Sequence, residues 1–172
     1  MVTASEERAS RIAAEVPDPE LPMLTLVDLG VLHGVEVTPE GAVAVRLTPT
    51  YAGCPAMAEM RAEVSSRLLA AGFADVRVIT VLDPPWTTDR ITDEGRRKLV
   101  EHGIAPPGPR NAPGPAATRA WLSLSVKPPE VPCPRCASAD TEEISYFAAT
   151  ACTALRRCRT CREPFPHVKD LP

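Results

Sequence analysis

Nine prolines fall within the 30 residues from Ala105 to Pro134. Each proline fixes φ and removes a backbone N–H, so neither a helix nor a central strand can run through that window. The chain must build its cores on either side. Residues 104–130 therefore read as a semi-rigid, proline-rich connector. It separates a unit over residues 1–103 from a smaller one over residues 131–172. Charge changes sign at the same place: residues 1–103 hold 10 Lys/Arg against 16 Asp/Glu, and residues 104–172 hold 9 against 6. Five of the six cysteines follow Val131. No internal repeat is visible.

Hydrophobic residues make up 44% of the chain, enough for packed cores and against disorder of the whole. A net charge of −3 argues against bulk electrostatic binding of nucleic acid. No apolar run approaches the ~18 residues that span a bilayer, so no membrane partner is expected. The first twenty residues carry Glu6, Glu7, Glu15, Asp18 and Glu20 and lack the apolar stretch of a secretory signal. The expected compartment is the cytoplasm, where thiols stay reduced. Cysteines there read as metal ligands or as chemistry before disulfides.

In the first unit Thr3 and Glu6 have capping-box spacing, and Ala9, Ile12 and Val16 share a stripe, so a helix runs to about Glu15. Pro17-Asp18-Pro19 stops it. Thr25 to Asp28, followed by Leu29-Gly30, reads as a short helical turn, with Asp28 as a cap three residues after Thr25. Val31–Val37 and Ala42–Thr48 flank Thr38-Pro-Glu-Gly41 as a hairpin. Met57, Met60, Val64 and Leu68 form the core stripe of a second helix that opens at Pro55 and closes at Gly72. Val76–Leu82 is a third strand, apolar enough to be central. A last helix over Thr92–His102 turns Leu99 and Val100 inward. The order α-β-β-α-β-α predicts an α+β fold of two layers, with one three-stranded sheet and helices on one face.

Two CxxC pairs dominate the second unit: Cys133-Pro-Arg-Cys136 and Cys158-Arg-Thr-Cys161. Each such turn aims two sulfurs at one point, and two turns supply the four thiolates that zinc takes in a tetrahedron. Thr141–Ala149, with Ile144, Tyr146 and Phe147, is the candidate hairpin of a C-terminal zinc ribbon. A segment this small needs the staple, so the zinc is structural. Tetrahedral sulfur also suits iron, as in rubredoxin-like sites. Cys152 lies between the pairs, as an alternative ligand, an inert core thiol or a functional one. His167 reads as a surface tail histidine. Arg156, Arg157, Arg159 and Arg162 surround the second pair, either offsetting the charge of a metal–thiolate centre or forming a nucleic-acid patch; the first reading is preferred.

Cys54 stands alone in Thr50-Tyr-Ala-Gly53-Cys54-Pro55, at the expected N-cap of the second helix. Helix-start N–H groups favour an anion, so the thiol is expected to be lowered in pKa, as a nucleophile or soft-metal ligand. Gly53 beside it would let a ligand approach the backbone. A structural cysteine is an equal reading. No Ser-His-Asp set, phosphate loop or dinucleotide fingerprint is present.

Asp18-Pro-Glu20-Leu-Pro through Asp28-Leu-Gly30, then Leu47-Thr-Pro-Thr50-Tyr-Ala-Gly53-Cys54-Pro55, resembles the iron–sulfur assembly domain shared by SufT-like proteins and the PaaD (also PaaJ) family of phenylacetate degradation. Pro85-Trp86-Thr-Thr-Asp-Arg-Ile-Thr92, Arg96-Arg97-Lys98-Leu99, Gly103-Ile-Ala-Pro-Pro107 and Phe147-Ala-Ala-Thr-Ala-Cys152-Thr-Ala-Leu155 are similar to PaaD in particular. SufT-like proteins lack the appended ribbon. The resemblance implies an iron–sulfur-assembly-type fold and an accessory subunit, not itself an enzyme, of the multicomponent phenylacetyl-CoA epoxidase. In that system a di-iron oxygenase acts on the ring and a flavin and [2Fe–2S] reductase feeds it. The implied role is maturation of an iron–sulfur or iron centre of the partner reductase or oxygenase. It further implies Cys54 as the functional thiol, with Asp18 and Glu20 beside it and Thr50 and Gly53 nearby. Iron or an iron–sulfur cluster held transiently is the candidate cargo. The partners are the reductase and oxygenase subunits; a second copy of the chain is a candidate as well. The competing readings are a scaffold subunit with only structural zinc and a nucleic-acid-binding ribbon. Neither CxxC is followed by the glycine common in such knuckles, which makes turn strain an expectation.

Overall fold

The computed structural model describes residues 3–51, 53–108 and 130–169. Most of the expected connector, residues 109–129, lies outside the described residues. The chain divides into two compact units, one over Met1–His102 and one over Gly103–Asp170. Among the described residues no helix is long and apolar enough to cross a membrane.

The first unit opens with α1 (Ala4–Ala14), whose N-cap Thr3 accepts the Glu6 N–H on its hydroxyl. Ala9, Ala13 and Val16 are buried without residual exposure. A hairpin follows: β1 (Leu32–Val37) runs antiparallel to β2 (Val43–Leu47). Its turn is closed by Thr38 N–H to Ala42 O at 2.8 Å. Helix α2 (Ala56–Ala70) buries Met57, Met60, Val64 and Leu68, the expected stripe. Strand β3 (Val76–Thr80) pairs parallel with β2, and α3 (Asp93–Glu101) ends the unit. Val43, Val45 and Leu47 of β2 are buried on one face of the sheet. Glu36 and Arg46 form an ion pair at 2.7 Å on the other. Each fully buried Val or Leu contributes roughly 1.5–3 kcal/mol of transfer free energy.

The sheet order is β1-β2-β3, so β2 is central and β3 is an edge. The expectation that the third strand is central is wrong. Its apolar run reflects one half-buried face, with Ile79 46% exposed on the other. Likewise Leu99 is buried but Val100, one helical step round, is 41% exposed.

Residues 25–30 form the anticipated turn, clamped from two sides. Asp28 Oδ2 accepts from Thr25 N–H at 2.9 Å, Thr25 hydroxyl at 3.0 Å and Lys98 ammonium at 2.7 Å. Trp86, buried, donates its indole N–H to Leu29 O at 2.8 Å. Gly30 has φ +67, and a Cβ there would fall 2.3 Å from Arg90 O, so only glycine fits.

The second unit is a three-stranded antiparallel sheet in the order β4-β5-β6: β4 (Thr141–Ser145), β5 (Thr153–Cys158) and β6 (Pro164–Val168). Its core is Ala105, Val131, Cys133, Cys158 and Phe165. The start of the proline-rich stretch is part of this unit: Ala105 donates to Pro166 O at 2.8 Å and accepts from Val168 N–H at 3.0 Å. His167 is 4% exposed and not a surface tail residue. Burial, with the Arg156 charge adding to it, pushes its imidazole down to about 4, so it is neutral at pH 7.

Candidate functional site

The second unit brings together Cys133, Cys136, Cys158 and Cys161, their sulfurs all within 4.8 Å of one another. Cys133 and Cys161 are 3.8 Å apart and Cys136 and Cys158 3.5 Å, too far for disulfides, and all six cysteines are free. A tetrahedron of thiolates about 2.3 Å from a metal has sulfur–sulfur edges of about 3.8 Å, so the donor set fits a four-coordinate soft ion. The Cys161 N–H at 3.4 Å is the main influence holding the Cys158 thiol down at about 6, toward the thiolate a metal requires. Ser138 and Thr160, one beside each turn, share a hydroxyl hydrogen bond at 2.8 Å. The residues after the two turns, Ala137 and Arg162, have φ of 58° and 65°. These are the positions where the sequence lacks the usual glycine, and both are left-handed, so the expected strain is present.

Cys152 is not part of this cluster. It lies before β5 with its sulfur 3.1 Å from Thr150 Oγ1. Three of the four arginines have carboxylate partners. Arg157 and Arg159 both bind Glu142, at 3.0 Å and 2.9 Å, and Arg156 pairs with Glu143 at 3.7 Å. Glu142–Arg157 and Glu143–Arg156 are directly opposed pairs of β4 and β5, and Arg159 follows β5. Arg156, Arg157 and Arg159 thus each have a carboxylate partner within the ribbon. The pattern Thr141-Glu142-Glu143 was the available signal.

In the first unit Cys54 directly precedes Pro55, the residue at the helix N-cap, one position earlier than expected. Its carbonyl accepts Met57 N–H at 3.3 Å, and the Ala56 backbone and Thr50 side chain act on its thiol. Both groups favour the thiolate, as anticipated. Burial outweighs them, and the charges of Glu20 and Asp18 act in the same sense, so the thiol is pushed up and not down. Helix-start geometry alone did not reveal the two carboxylates.

Asp18 is 5% exposed, and its Oδ1 accepts Glu20 N–H at 2.9 Å and Leu21 N–H at 2.7 Å. Burial pushes its carboxyl up against those bonds, and Glu59 adds to the shift. Gly53 has φ +91 with open space where a Cβ would lie, leaving the backbone beside the thiol uncovered. Glu59, from the first turn of α2, went unnoticed in the sequence. It lines a cavity of about 320 Å³ with Pro17, Pro19 and Met60. Thr50, Asp18 and Glu20 thus all act on the Cys54 thiol. They do not form a closed metal cage: among the described residues only the four ribbon cysteines approach that closely.

Residues 12–81 match the family model of an iron-sulfur cluster assembly protein, and residues 117–169 match that of the PaaD zinc beta ribbon domain. The chain is 44% identical over 160 residues to an Escherichia coli (strain K12) protein named as a subunit of 1,2-phenylacetyl-CoA epoxidase, covering 93% of this chain and 90% of that one. It is 36% identical over 78 residues to the "Fe-S protein maturation auxiliary factor SufT" of Staphylococcus aureus (strain USA300), covering 45% of this chain and 88% of that one. A solved domain of unknown function, DUF59, from Bacillus anthracis superposes with a TM-score of 0.52 at 26% identity, covering 56% of this chain and 92% of that one.

Proposed function

Because the chain belongs to the PaaD family, an iron–sulfur assembly domain followed by a zinc ribbon, we propose that it is an accessory, non-catalytic subunit of a cytoplasmic phenylacetyl-CoA epoxidase system that matures an iron or iron–sulfur centre in a partner reductase or oxygenase. The observation that carries this reading is the half-buried Cys54 thiol, on which Thr50, Ala56 and the charges of Asp18 and Glu20 all act.

That environment suits transient handling of a soft cation. At rest the thiol is protonated, because burial and two carboxylates oppose a third negative charge. An arriving iron displaces the proton: the S–H bond breaks as the S–Fe bond forms. Asp18, whose carboxyl is raised, is a better proton acceptor than an ordinary carboxylate. With the cation in place and the proton on Asp18, the Glu20 charge turns from opposing the thiolate to stabilising the complex. Transfer of the iron onward returns the proton to sulfur. A thiol that is neutral without its cargo gives the cargo up readily. In the ribbon, Cys133, Cys136, Cys158 and Cys161 would hold zinc, whose role is to fold the module.

The raised thiol also supports a second reading, a scaffold subunit in which Cys54 is inert. Cys54→Ala separates the two in cells carrying the epoxidase system. The maturation reading expects a normally folded chain, a thermal transition close to wild type, and impaired epoxidase activity. Loss of folded protein with normal activity per molecule would leave only the scaffold.

A further inference from the structure

The sheet of the first unit has two unlike edges. Along β1 the register shifts between Leu32 and Gly34, a bulge that discourages further pairing. Along β3 the pairing runs unbroken from Val43–Val76 to Leu47–Thr80. Asp75 O accepts from Val43 N–H and Val81 N–H donates to Leu47 O, both at 2.8 Å. In a parallel ladder, residues of that parity turn their backbone groups to β2. Val76, Val78 and Thr80 therefore turn theirs outward, and among the described residues none has a backbone partner on that side. No proline or bulge blunts this edge.

An open groove of about 580 Å³ runs beside the edge, between β3 and α2. Ala58, Ala62 and Ser65 keep its helix wall low. Its charged lining residues are Arg61 and Arg77, and no carboxylate lines it. Arg61 has no ion pair among the described residues, and Arg77 has only an exposed one to Asp75 at 3.7 Å. This cationic groove lies on a unit that is acidic as a whole.

We propose that the β3 edge is the docking site for an extended acidic segment of a partner polypeptide, which adds to the sheet as a fourth strand. Backbone bonds to Val76, Val78 and Thr80 hold the segment whatever its sequence. Alternate side chains then fall on the low wall of α2, within reach of Arg61, and on the opposite face beside Arg77. Opposite charge makes the choice of partner. A second copy of this chain is the poorer occupant, because β3 paired with β3 across a two-fold axis would gather both copies of Arg61 and Arg77 in one seam. The inference does not depend on any role for Cys54.

The test uses the full chain and two fluorescein-labelled heptapeptides of alternating valine, one with glutamate and one with lysine at the other positions, read by fluorescence anisotropy. The glutamate peptide is expected to bind at least about tenfold more tightly than the lysine peptide. Thr80→Pro removes an outward N–H and leaves the ladder to β2 intact; it is expected to weaken binding about tenfold. The double variant Arg61→Glu, Arg77→Glu changes only exposed side chains and is expected to reverse the preference. Equal binding of the two peptides, or glutamate-peptide binding unmoved by both variants, overturns the proposal. So does self-association of the wild type in sedimentation that Thr80→Pro abolishes, since that outcome seats a second copy on the edge.

Discussion

Residue by residue, left-handed backbone strain among the described residues sits where glycine is absent. Ala137 and Arg162 follow the two CxxC turns in left-handed conformations that cost an L-residue roughly 1–2 kcal/mol. Ala137→Gly and Arg162→Gly are each expected to stabilise the ribbon by about 0.5–1 kcal/mol, after the entropy that glycine loses on folding. Slower metal loss to a chelator would register the gain; unchanged or faster loss would contradict it. Asp28 makes a second residue-scale case. Burial alone would push its carboxyl up, but the bonds from Lys98 and Thr25 outweigh it and hold the group low. A depressed carboxyl stabilises the fold above its unfolded pKa of about 3.9, and that contribution is lost as pH falls through the lower folded value. Lys98→Met is therefore expected to cost roughly 1–3 kcal/mol at pH 7. The gap to wild type should narrow as the pH drops below about 4, as followed by denaturant titration across pH. The Thr25–Asp28 cap was legible because it is local. The direction of the Cys54 shift was not, since it is set first by burial, which tertiary packing decides.

At the level of elements, local pattern and nonlocal pairing divide what could be read. The helical stripe of α2, the Thr38–Gly41 turn and the two CxxC knuckles are set by neighbours in sequence, and each appears where its spacing puts it; α1 buries Ala13 in place of the expected Ile12. Strand order is set by tertiary pairing, so an apolar β3 was misread as central when β2 holds that place. Strand β6 escaped notice because Pro164 and Pro166 argue against a strand; it is tolerated at a sheet edge, where Ala105 bonds Pro166 O and Val168 N–H. The same sparse core makes the ribbon depend on its metal. Beyond Phe165 and Val131, its core cluster consists of Ala105 and ligand cysteines. Cys133→Ser is expected to release the bound metal and unfold this unit, while the first unit, with its own core, keeps its thermal transition. Metal analysis together with limited proteolysis would show this. Retention of stoichiometric metal would contradict the four-ligand assignment and bring Cys152 into consideration.

The molecule as a whole joins a thiol set among carboxylates to a second unit built on four clustered cysteines. In the account proposed above, the first handles iron and the second is a zinc-stapled module, and both act before a partner turns over. A maturation factor need not be present in the assay once its partner holds its metal. The direct measurement is the iron, acid-labile sulfide and flavin content of the epoxidase reductase and oxygenase purified from cells lacking this chain. The account predicts a reductase that retains flavin but is short of its [2Fe–2S] cluster, with activity recovered on chemical reconstitution of that cluster. Fully metallated components that still require this chain, added stoichiometrically, for turnover would contradict it.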